Sequence, residues 1–106
     1  MNRISKILFF LFCSLSVLHA EIKLPAIFGD NMLMQQNTQV NLWGKAEANK
    51  TVTIKTSWSR KAIKTVAGLS GDWKATFQTP LTDKKPQTIS ISDGKTVTLK
   101  NILLGE

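Results

Sequence analysis

The sequence predicts an all-β chain, an antiparallel immunoglobulin-like β-sandwich of about seven short strands behind a cleavable signal peptide. Three observations carry this. Val52, Ile54, Thr56 and Trp58 share one phase of a two-residue repeat, as do Trp73, Ala75 and Phe77, the mark of strands with one buried face. Turn-forming residues recur between the runs, as Gly29-Asp30-Asn31, Gly68 to Asp72, Pro80 to Pro86 and Asp93-Gly94, each suited to reversing the chain. No stretch of residues 21–106 spaces its apolar groups as a helix does. An open barrel is the alternative arrangement of the same strands.

The first 20 residues have the layout of a signal peptide. Arg3 and Lys6 charge the start, Ile7 to Leu18 is an uncharged and mostly apolar run of 12 residues, and Leu18-His19-Ala20 ends on a small residue. The run is short of the roughly 20 apolar residues that span a bilayer. Cleavage after Ala20 leaves residues 21–106 as one domain of 86 residues, secreted or periplasmic, with no membrane anchor. An uncleaved anchor is the alternative.

The strands follow in order. Leu24 to Gln36 reads as two short strands folded about Gly29-Asp30-Asn31, with Ile27 and Phe28 on one arm and Met32 and Met34 on the other. Thr38 to Gly44 sets Val40 and Leu42 in one phase and leaves Trp43 in the other. Lys50 to Trp58 is the cleanest strand; Lys61 to Ala67 is a weaker one around Ile63 and Val66. Trp73 to Gln78 alternates, Gln87 to Ser92 turns Ile89 and Ile91 inward, and Asp93-Gly94 is the strongest hairpin signal. Lys95 to Leu104 closes the set with Val97 and Leu99 inward. The run Ile102-Leu103-Leu104 either closes the core or packs on something beyond this domain; pattern alone leaves both open.

Composition narrows the chemistry. Cys13 and His19 both fall in the leader, so residues 21–106 hold neither cysteine nor histidine. Disulfides, thiol nucleophiles, imidazole bases and the usual zinc ligands are thereby excluded from that span, and no cofactor or metal site is expected. A serine without a base makes no hydrolytic triad. The carboxylates Asp30, Asp72, Asp83 and Asp93 all sit where turns need them. Loss of Arg3 and Lys6 leaves 12 basic against 7 acidic side chains, a net of +5. The lysines stand singly or in pairs, a solvated face and not a nucleic-acid footprint. Asn49-Lys50-Thr51 matches a glycosylation sequon. Of the three tryptophans, Trp58 and Trp73 lie in the apolar phase and are expected to pack. Trp43 does not, and it is the candidate contact for a ligand or a neighbouring domain.

The wording of several segments resembles bacterial sialate O-acetylesterases. It is most specific at Leu24-Pro25-Ala26-Ile27-Phe28-Gly29-Asp30-Asn31-Met32-Leu33-Met34-Gln35-Gln36 and at Leu99-Lys100-Asn101-Ile102-Leu103-Leu104-Gly105-Glu106. Between them, Val40-Asn41-Leu42-Trp43-Gly44, Val52-Thr53-Ile54, Gly71-Asp72-Trp73 and Ile91-Ser92-Asp93-Gly94 continue it, and Arg60 to Lys85 matches loosely. The resemblance implies the N-terminal, immunoglobulin-like domain of an SGNH-type serine esterase that removes O-acetyl groups from sialic acids. That family's nucleophile lies in a Gly-Gln-Ser-Asn block just past the segment matched by Gly105-Glu106, and its Asp and His come later. None of these blocks is present here, so no catalytic residue carries over and the chain alone is expected to be inactive. The implied partners are a downstream SGNH catalytic domain and an O-acetylated sialoglycan. The alternative is a free-standing secreted β-sandwich that binds glycan or protein through Trp43 and the lysine-bearing face.

Overall fold

The computed structural model describes residues 21–106; the expected leader, residues 1–20, lies outside them. The described chain forms seven strands: β1 (Leu33–Gln35), β2 (Gln39–Lys45), β3 (Thr51–Thr56), β4 (Ile63–Val66), β5 (Asp72–Gln78), β6 (Gln87–Ser92) and β7 (Thr96–Gly105). They build two sheets, one ordered β1-β7-β6-β3-β4 and the other β2-β5. All pairings are antiparallel except β1 on β7. This is a β-sandwich with immunoglobulin-like connections, in which β4 joins the sheet of β3 and β1 covers the edge of β7.

Alternation places the core between the sheets. Val52 and Ile54 of β3, Ile89 and Ile91 of β6, and Leu42 of β2 are fully buried. Trp73, Ala75 and Phe77 of β5 face them, and Phe28, Met32 and Trp58 pack around the rim. The opposite faces of the same strands carry Thr, Ser, Lys, Asn, Gln and Asp, with Trp43 of β2 the large apolar exception. A residue of each kind at every second position is what a pleated strand buried on one side requires.

β7 breaks this alternation once, and the break organises the N-terminal segment. Ile89 of β6 pairs with Leu99, but Gln87 pairs with Ile102. Lys100 and Asn101 therefore oppose the single residue Thr88, a β-bulge with Asn101 in the left-handed region at φ 57°. Leu99 and Ile102 both reach the core as a result. The bulge also leaves main-chain groups unpaired. The Lys100 N–H donates to Asp30 Oδ1 at 2.8 Å and the Lys100 carbonyl accepts from the Asn31 N–H at 2.9 Å. Asn101 Nδ2 donates to Asn31 Oδ1 at 2.6 Å.

This docking overturns the expected opening hairpin. Leu24 to Phe28 forms no strand; the Phe28 N–H closes a turn onto the Pro25 carbonyl at 3.0 Å. Pro25 has no N–H to give a ladder, and the Asp30-Asn31 turn finds its partners on β7 instead. The residues after it run parallel to β7, with Leu33 opposite Leu103 and Gln35 opposite Gly105. Upstream, Lys23 exchanges two main-chain hydrogen bonds of 2.9 Å with Lys45. Gly44 makes this approach possible in the steric sense, because a Cβ there would lie 2.4 Å from the Lys23 carbonyl oxygen. Other boundaries differ slightly. The strand expected over Lys50 to Trp58 ends at Thr56, and the weak strand after it is confined to Ile63–Val66.

The ambiguity over Ile102-Leu103-Leu104 resolves by side. Ile102 and Leu104 are buried in the core, whereas Leu103 is 43% exposed and lies beside Leu33, 65% exposed, on the outer face.

One buried hydroxyl ties three segments together. Thr79, just past β5, is fully buried. Its Oγ1 accepts from the Thr38 N–H at 3.1 Å and lies 2.7 Å from the Gln35 carbonyl, to which it donates. The turn between β1 and β2 is thus fixed to the end of β5. Replacing Thr79 by Val orphans these buried groups and is expected to cost about 2–3 kcal/mol, read as a lowered urea midpoint with unchanged slope. At the other end of the sandwich, Gly71 has φ +86°, and a Cβ there would meet the Ala46 carbonyl oxygen at 2.4 Å. Gly71→Ala is expected to destabilise by about 2–3 kcal/mol. Gly29→Ala, with nothing within 4 Å of the added carbon, is the control and shifts stability by less than about 0.5 kcal/mol.

Candidate functional site

Two surfaces outside the core combine an aromatic group with polar neighbours. The first is the outer face of β2 and β5. Trp43 projects from it, 42% exposed. The register sets Lys74 opposite Trp43 and Thr76 opposite Asn41. The Thr76 hydroxyl donates to Asn41 Oδ1 at 2.7 Å, and Lys45 Nζ pairs with Asp72 at 2.7 Å. Phe28 holds the indole in an edge-to-face contact, ring centres 4.7 Å apart at 78°. A hollow of about 250 Å³ beside Trp43 is walled by Lys23, Leu24, Pro25 and Asp72. The hydrogen bond from Lys45, and then that from the Ser70 hydroxyl, hold the Asp72 carboxyl below its ordinary 3.8. A lowered folded value means that this pair helps the fold above pH 3.8. Its help is lost as the pH falls through the lowered value.

The second surface is a groove of about 550 Å³ between the open ends of β4 and β5, lined by Thr56, Trp58, Ala62, Ile63, Phe77 and Pro80 among others. β4 runs into β5 through the loop at 67–71, so Ile63 and Gln78 are the ends that lie away from the connection. Trp58 tilts against Phe77, ring centres 6.1 Å apart, and its Nε1 donates to the Gln78 carbonyl at 3.1 Å. Thr56 is only 7% exposed, yet its hydroxyl has no hydrogen-bond partner among the described residues. Lys61 is the charged residue of the lining, and no carboxylate joins it.

The tryptophans thus part company. Trp73 is 3% exposed inside the core, Trp58 bridges core and groove, and Trp43 stands outside. The carboxylates do not converge. Asp30 caps the β7 bulge, Asp83 accepts from the Lys85 N–H at 2.9 Å, and Asp93 accepts from the Lys95 N–H at 3.2 Å. No group of three or more His, Cys, Asp or Glu gathers among the described residues. The groove was missed in the sequence. Its one signal is Thr56, a hydroxyl in the inward phase of β3, where Val52 and Ile54 precede it.

The fold has a counterpart among solved structures. It is similar to the crystal structure of a carbohydrate acetylesterase from Xanthomonas citri. The TM-score is 0.73 and the identity 20%, over 81% of this chain and 19% of that one. The chain therefore spans about a fifth of the length of the protein it matches, and the likeness is one of fold. No family model matches the sequence, and no curated protein does.

The burial contrast predicts separate outcomes. Trp73→Ala is expected to cost about 3–5 kcal/mol, and Trp43→Ala about 1 kcal/mol, measured by urea unfolding. Thr56→Val removes the unpartnered hydroxyl at constant shape and is expected to raise stability by about 1 kcal/mol.

Proposed function

We propose that this chain is the non-catalytic, leading β-sandwich domain of a secreted carbohydrate esterase of the sialate O-acetylesterase kind. The observation that carries the reading is the shared fold with a carbohydrate acetylesterase across 81% of this chain. The resemblance of Leu24 to Gln36 and of Leu99 to Glu106 to sialate O-acetylesterases supports the finer assignment. Residues 21–106 hold no histidine or cysteine, so the ester chemistry belongs to an SGNH-type domain encoded after this one. The β-sandwich serves that domain as a rigid support. The exposed pair Leu33 and Leu103 supports a docking role, since two apolar side chains side by side on the outer face of the larger sheet gain by being covered. The substrate of the whole protein is an O-acetylated sialoglycan outside the cytoplasm.

Trp43 favours a second reading, a free-standing module that binds glycan. An indole flanked by Lys74, Asn41 and Thr76 offers an apolar plate beside hydrogen-bonding groups. The two readings separate at the gene. Reading the source DNA past codon 106 is expected to reach a Gly-Gln-Ser-Asn block in frame within a few residues. A stop codon directly after Glu106 would overturn the first reading. In the longer protein, Leu33→Lys with Leu103→Lys is expected to lower acetyl release from O-acetylated sialic acid about tenfold, the equivalent of about 1.4 kcal/mol of docking. Unchanged activity in that variant would remove the docking role.

A further inference from the structure

The groove between β4 and β5 holds about 550 Å³, and the pairing of β5 gives it a particular chemistry. In an antiparallel pair, residues alternate between those whose main-chain groups face the partner and those whose groups face away. Lys45 exchanges both its hydrogen bonds with Lys23, on the side of β2 away from β5. Lys45 and its partner Asp72 therefore form an outward-facing pair, and so in turn do Trp43 with Lys74, Asn41 with Thr76 and Gln39 with Gln78. Two contacts agree. The Asp72 carbonyl accepts from the Gly68 N–H at 2.9 Å, and the Gln78 carbonyl accepts from Trp58 Nε1 at 3.1 Å. Between these ends, the main-chain N–H and C=O groups of Lys74 and Thr76 point away from β2, and among the described residues no strand pairs with β5 on that side. A bare strand edge thus forms one wall of a groove whose other walls are Trp58, Ile63 and Pro80.

We propose that this groove is a strand-docking site, which takes an extended acidic peptide as a third strand on the edge of β5. Three features of the site match that occupant. The exposed main-chain groups of Thr76 pair with any extended backbone, whatever its sequence. The apolar walls receive side chains at alternate positions, as an added strand presents them. Lys61 stands in the lining with no carboxylate against it, so the peptide that complements this site carries Asp or Glu. The Thr56 hydroxyl, more than nine-tenths buried and without a partner, supplies a polar contact at the floor. This inference does not depend on the esterase reading, because it concerns residues that the docking pair Leu33 and Leu103 does not include.

The test uses the full chain, immobilised, and a phage-displayed library of random twelve-residue peptides. Selected peptides are expected to share apolar residues at alternate positions and at least one carboxylate. Synthetic copies are expected to bind in fluorescence anisotropy and to lose about tenfold or more in affinity to Ala62→Glu, which sets bulk and a negative charge at the groove wall. Thr56→Val is expected to cost about fivefold, one hydrogen bond's worth. Ala62 is exposed, so its variant keeps the fold, and circular dichroism checks that. A library that yields no such pattern overturns the proposal, as do peptides that bind Ala62→Glu as well as they bind the parent. A concentration-dependent dimer that Ala62→Glu dissolves would make a second copy the occupant and overturn it equally.

Discussion

The bulge in β7 is the constraint on which the rest of this sandwich depends. Without it, a strand of period two that buries Leu99 would bury Asn101 and expose Ile102 and Leu104. One extra residue opposite Thr88 resets the phase, so the strand fills the core along its whole length. The same residue frees the main-chain groups of Lys100, and the Asp30-Asn31 turn takes them. That turn aims β1 along β7 in the parallel sense, and β1 in turn covers the edge of the larger sheet. A local irregularity therefore sets the path of the chain from Asp30 to Gln35. This is the ordinary use of bulges, which end or redirect pairing at places the fold needs.

The two sheets are unequal, and the inequality places the surfaces of interest. Five strands face two, so the smaller sheet leaves both of its edges short of partners. On one edge Lys23 supplies a single bridge to Lys45. On the other, β5 meets β4 only near their connecting loop, and the gap beyond becomes the groove. Trp43 lies on the outward face of that same small sheet. Edges and outward faces are where a sandwich has spare bonding capacity, because the inward faces are committed to each other.

Most of the strand plan was legible in the residues, and so was the reason. Val52 with Ile54, Trp73 with Phe77, and Ile89 with Ile91 each mark a buried face by spacing alone, and all of them are in the core. Asp93-Gly94 gave the β6–β7 hairpin, with Gly94 at φ +118°. The opening segment was misread because its apolar residues and its Gly29-Asp30-Asn31 turn are what a hairpin would also contain. The competing partner was the β7 bulge, 70 residues away in sequence. The groove was illegible for a similar reason. Trp58 and Phe77 each read as core residues of their own strands, and nothing in either strand says that the two sheets part where they meet.

By itself, then, the sequence determined the order of the strands from β2 to β7, the inward face of most of them, and the absence of any cysteine or histidine in residues 21–106. Those are local properties, fixed by side-chain alternation and residue identity. Tertiary structure alone decided that β1 runs parallel to β7, that Leu103 is exposed while Ile102 and Leu104 are not, and that β5 keeps a bare edge. Each depends on which distant main-chain groups find each other. Such pairings are settled by the geometry of the assembled sheets, because every N–H and C=O offers the same bond to any partner that comes within reach.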